Sequence, residues 1–108
     1  MLINEPQGDE KEKMKSFTEH VKRDQEKQGL HVFRVPKDIV PALREPIDLI
    51  CMKNGKVTFI RARGNGHGNL NHITVLKLQQ LGKKCGAKVL YAKENGAQEV
   101  VYFRVYEG

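Results

Sequence analysis

Near the middle of the chain, two short β-branched runs stand on either side of an Asn-Gly pair, a pattern that no helix accommodates. Ile47-Asp48-Leu49-Ile50-Cys51-Met52 precedes Lys53-Asn54-Gly55-Lys56, and Val57-Thr58-Phe59-Ile60-Arg61-Ala62-Arg63 follows it. Asn-Gly between apolar runs accepts the positive φ angles of a type I′ turn, so the runs fold back as an antiparallel hairpin. The first run is apolar on both faces, which predicts a strand covered on both sides. Such a sheet needs helices to cover it.

Two segments supply them. From Asp9 to Gln28 there is neither Pro nor Gly, and Met14, Phe17 and Val21 recur at helical spacing. The pattern predicts a helix with a narrow apolar stripe, closed by Gly29 and preceded by a loosely held arm over residues 1–8. A second helix is expected from Thr74 to Cys85, with Val75, Leu78, Leu81, Gly82 and Cys85 on one side and Gly86 behind it. Leu30–Val35 alternates as a strand, and Pro36, Pro41 and Pro46 punctuate an irregular connection. Val89–Ala92 and Val100–Tyr106 are the last strands, joined by a turn over Glu94–Ala97. The expected order is α-β-β-β-α-β-β, an α/β mixed sheet flanked by helices in one domain spanning residues 1–108.

Charge narrows the partners. Residues 1–29 carry six basic and seven acidic side chains, so of nineteen Lys plus Arg and thirteen Asp plus Glu, residues 30–108 keep thirteen and six, a net of +7. A basic body suits a polyanion, nucleic acid first, although a solubilising lysine surface also has this composition. No run is apolar and long enough to span a membrane, and two cysteines make no disulfide framework. A soluble, cytoplasmic protein is the expectation, with Cys51 and Cys85 as core thiols.

Asp48 is the costly residue of the hairpin. A carboxylate in an apolar strand needs a metal, a cation or several N–H donors. Thirteen positions separate it from Arg61 (61 − 48), a distance that the hairpin closes. Pro46-Ile47-Asp48, the Asn-Gly hairpin, Phe59-Ile60-Arg61-Ala62-Arg63 and the surrounding elements together resemble the PD-(D/E)XK, restriction-endonuclease-like superfamily. The match is nearest to its archaeal Holliday-junction resolvase branch and runs from about Lys11 to Tyr106. The resemblance implies that Asp48 stands at the metal-binding aspartate, and that Arg61 and Arg63 stand where the family has Glu-x-Lys. The family also draws a glutamate from the first helix, where Glu10, Glu12 and Glu19 are available.

Two arginines in place of Glu-x-Lys change the chemistry. Arg61 cannot ligate a cation, and Arg63 keeps only the charge of the lysine. The site therefore reads as a degenerate nuclease centre in which Arg61 pairs with Asp48, with no metal and no cofactor. The alternative at this point is that both arginines emerge into solvent at the strand end. Nucleic-acid contacts are expected from Arg34, Arg61, Arg63, the loop residues Gly64, Asn65, Gly66, His67 and Asn69, and from Lys83 and Lys84. Gly and Asn beside cations suit phosphates and sugars, though a ligand-free connection has the same composition. His67 and His72 have no carboxylate or thiolate near them in sequence to complete a zinc site. Tyr91, Tyr102, Phe103 and Tyr106 are expected to be sheet residues rather than stacking platforms.

The expected function is DNA binding, duplex or branched, without cleavage, and the resemblance implies a homodimer. Two other readings stand beside it. One is an active Mg²⁺-dependent endonuclease using Asp48, Arg63 and a first-helix glutamate. The other is a protein-interaction module that has lost nucleic acid.

Overall fold

The computed structural model describes residues 6–35, 47–64, 71–95 and 99–107, with side chains from Phe17 onward. Expectations for residues 1–5, for the 36–46 connection and for Asn65, Gly66, His67 and Asn69 lie outside those residues. The elements are α1 (Pro6–Lys27), β1 (His31–Arg34), β2 (Leu49–Lys53), β3 (Lys56–Arg63), α2 (His72–Cys85), β4 (Lys88–Glu94) and β5 (Val100–Tyr106). The order α-β-β-β-α-β-β is the expected one.

The five strands form one sheet in the order β1-β2-β3-β4-β5. The pairs are antiparallel except β3 with β4, which run parallel because α2 carries the chain from the end of one to the start of the other. Asn54 and Gly55 take φ of 53° and 76°, so both central residues of the β2–β3 turn have the positive φ that a type I′ turn requires. Gly29, at φ 90°, follows the last turn of α1, as expected.

Alternation divides the sheet into two faces. Phe17 and Val21 of α1 pack against Leu49, Cys51, Ile60, Ala62 and Ala92 on one. Leu78 of α2 packs with Ile47, Phe59, Ala87 and Val89 on the other. Within α2 the expected glycine has a packing role: a Cβ on Gly82 would stand 2.7 Å from atoms of both Tyr106 and Val89. The helix backbone rests there directly on side chains of β4 and β5.

Three expectations change. The first helix begins at Pro6, so Pro6, Gln7 and Gly8 belong to it rather than to an arm; proline presets the φ of a first turn, and one glycine does not end a helix. The second begins at His72, where the Asn71 side chain accepts from the Thr74 N–H at 2.7 Å. Cys85 is exposed rather than in the core. It is the last residue of a helix whose buried contacts are Leu78 and Gly82.

Candidate nucleic-acid interface

Register explains what gathers at the open ends of β3 and β4. Leu49 pairs with Ile60, and both point to α1. Asp48, Arg61 and Arg63 alternate with them and take the α2 face. The chain bends at Asp48, whose N–H donates to the Ile60 carbonyl at 2.8 Å. That bend turns the carboxylate back along β3, where Oδ2 accepts from the Ala62 N–H at 2.7 Å and from Arg63 Nη1 at 3.0 Å. A side chain takes over where the β2–β3 ladder ends, satisfying a strand N–H that has run past its partner.

The Asp48–Arg63 pair is largely enclosed, with side chains 12% and 18% exposed. Arg63 Nη1 also donates to the Ala62 carbonyl at 2.6 Å. The sequence assigned the pairing to Arg61; the structure gives Arg63 a direct ion pair with the same carboxylate. Both arginines share the aspartate's field. Burial lowers the Arg61 guanidinium below its usual range and the Arg63 charge adds to this, while Asp48 and Tyr91 act in the opposite direction. It remains a cation, as guanidinium does throughout protein interiors. Its Nε is buried and has no hydrogen-bond acceptor among the described residues.

The parallel register brings in residues that sequence spacing did not single out as partners. Arg61 lies beside Tyr91, and Arg63 beside Lys93. Tyr91 in turn pairs with Phe103, their ring centroids 6.4 Å apart. The place of Lys93 depends on the β3–β4 register, which a crossover connection leaves open in sequence. The charged cluster is one carboxylate and three cations, a net of +2.

Among the described residues, Arg34, Gly64, Lys83 and Lys84 stand elsewhere. Arg34 pairs in register with Leu49, on the α1 face, and its guanidinium lies 3.6 Å from Glu19. Glu19 is therefore placed with Arg34 and not with Asp48. Lys83 and Lys84 are exposed in the last turn of α2, the end away from Arg63, and a fourteen-residue helix puts them about 20 Å along. Gly64 is buried, with Phe17 Cβ 3.5 Å from where its own Cβ would stand, so it packs under α1.

Among the described residues, Asp48 is the carboxylate that stands in this cluster. Hard cations take several oxygen ligands, carboxylates foremost. Among the described residues no three His, Cys, Asp or Glu side chains converge. That carboxylate accepts from two N–H donors through Oδ2, the Ala62 N–H and Arg63 Nη1, and its charge also acts on Arg61.

No protein-family model matches the chain, and no curated protein does. Among solved structures, the chain is similar to Hjc of Archaeoglobus fulgidus, a Holliday junction resolvase from an archaeal hyperthermophile. The superposition has a TM-score of 0.72 at 17% identity and covers 84% of this chain and 76% of that one. No helix among the described residues is long and apolar enough to cross a membrane. The shared element order and sheet give the chain the restriction-endonuclease-like fold of that resolvase.

Proposed function

We propose that the chain binds DNA, branched or duplex, through its phosphates and does not cleave it by metal-assisted chemistry. The observation that carries this reading is the Asp48–Arg63 ion pair at 3.0 Å, with Arg61 beside it. A resolvase fold supports DNA as the ligand. At this site the positive charge comes from the protein's own guanidinium groups instead of from a bound ion. Arg61, Arg63 and Lys93, side by side across β3 and β4, are the phosphate contacts of this reading. Arg34 on the opposite face and Lys83 and Lys84 at the far end of α2 extend the positive field. A homodimer would present two such clusters to two stretches of duplex. Sedimentation velocity checks that part, with a dimer expected.

Contacts to phosphates alone imply affinities of about 10⁻⁴ to 10⁻⁶ M at physiological salt. Fluorescence anisotropy with a labelled four-way junction and a matched duplex tests the reading. Binding is expected at low salt, weakened in Arg61→Ala and Lys93→Ala. No binding at low salt overturns it and favours a protein-interaction module.

A further inference from the structure

Phe103 stands on β5, 51% exposed, on the same face as the arginines. The face assignment has two independent supports. Tyr91, its register partner, touches its ring at 6.4 Å and an interplanar angle of 35°. Tyr102, the next residue back, points the other way and donates from its hydroxyl to Asp24 of α1 at 2.6 Å. Phe103 is thus held from one side by a buried tyrosine and open on the other.

What surrounds it distinguishes it from other exposed apolar side chains. Crossing the sheet from β5, the same face shows Phe103, then Tyr91, then Arg61; one step further along the strands it shows Val101, Lys93 and Arg63. Two strand spacings, about 10 Å, separate β5 from β3, the strand that carries the arginines. Phe33 is as exposed on the far edge strand, but its register partner is Ile50. An open aromatic ring on the same face as a group of cations is the pairing that single-stranded nucleic-acid sites use, with cations following the backbone while a base stacks on the ring. A base inside an intact duplex offers no free face, so such a ring selects DNA with an unpaired base.

We infer that Phe103 is a stacking platform for one unpaired base, beside the phosphate contacts of Arg61 and Lys93. The inference rests on the DNA-binding reading above and names its ligand class: DNA with an unstacked nucleotide, at a bulge, a gap or a strand exchange point.

The test compares a fully paired duplex with the same duplex carrying a single bulged 2-aminopurine. Wild-type protein is expected to bind the bulged DNA more tightly and to quench the 2-aminopurine emission. Phe103→Ala should lose about 5- to 100-fold on the bulged DNA, the range for removing one stacking contact, and less than about 2-fold on the paired duplex. Phe103→Trp should restore preference and quenching, whereas Phe33→Ala should change neither. Thermal unfolding of each variant separates a stacking loss from misfolding. Equal affinity of wild type for both DNAs, or equal loss by Phe103→Ala on both, overturns the inference and leaves phosphate binding standing. Failure of the wild type to bind either DNA overturns both.

Discussion

Asp48 puts a carboxylate at the bend just before β2, between two buried neighbours, Ile47 and Leu49. It is tolerated because the Ala62 N–H and Arg63 meet it at hydrogen-bond distance. Removing one partner from an enclosed pair leaves the other charge uncompensated, whereas removing both lets packing take over. Asp48→Ala should therefore lower stability by about 3–5 kcal/mol in urea unfolding. Asp48→Leu combined with Arg63→Met should cost far less than the sum of the single changes. A double-mutant cycle that simply adds would deny the pairing. The aspartate and its pairing with a β3 arginine are legible in the sequence, since an Asn-Gly hairpin brings positions 48 and 61 together. The contact with Arg63 is not, because it depends on the bend at Asp48 and on where a long side chain folds back.

Cysteine reactivity follows the same local logic. Burial pushes the Cys51 thiol up to about 12, with the charge of Glu26 adding to the effect, whereas Cys85 is exposed. A thiol reagent reacts with thiolate, so near pH 8 native protein should label once, at Cys85, and twice after unfolding. Labelling of Cys51 in native protein would contradict its burial.

The helices are joined to the sheet by contacts that can be varied singly. Gly82 has no room for a methyl group: the Cβ would lie 2.7 Å from Tyr106 and Val89 and 2.9 Å from the Ala87 carbonyl. Alanine raises helix propensity by about 1 kcal/mol, yet overpacking of this kind costs about 1–3 kcal/mol or more. Gly82→Ala should thus be destabilising despite its better propensity, read as a lower urea midpoint. On the other face the Tyr102 hydroxyl ties β5 to Asp24 of α1 at 2.6 Å. Burial, and then the bond to Asp24, push the Tyr102 phenol above its usual range. A group whose folded pKa is raised lends stability that is complete below its unfolded value, about 10, and is lost as pH rises beyond it. Melting temperature should consequently fall above about pH 10, less steeply in Tyr102→Phe.

Element types and order are legible because each element carries a local signal: Asn54-Gly55 for the hairpin, Gly29 and Gly86 for the helix ends, and alternation for β1. Exposure is less so. Cys85 sits at helical spacing from Leu78 but at the helix terminus, and Phe103 alternates like a core residue although no described element covers it. Both depend on how far α2 extends over the sheet, which no local pattern encodes.

Charge acts over the full length of the chain. Residues 30–108 carry a net +7, and the structure spreads that charge over both sheet faces and the last turn of α2. If about three or four phosphates are neutralised, log K against log salt should have a slope of about −3 to −4. A slope near zero would mean that the basic composition serves solubility. The fold is legible from sequence almost entire, because a hairpin, one crossover and two helices leave few ways to build a sheet. Which cations converge is legible only for Arg61 and Arg63, neighbours on one strand; Arg34, Lys83 and Lys84 share the charge but not the place.

The proposal that arginine occupies the place of a metal is open to a direct assay. End-labelled four-way junction is incubated with enough protein to shift it fully, with and without Mg²⁺, and resolved on a denaturing gel. Intact strands in both lanes are expected, since Asp48 is committed to Arg63 and Ala62. Mg²⁺-dependent nicking that disappears in Asp48→Ala would contradict the proposal and make the site a working nuclease.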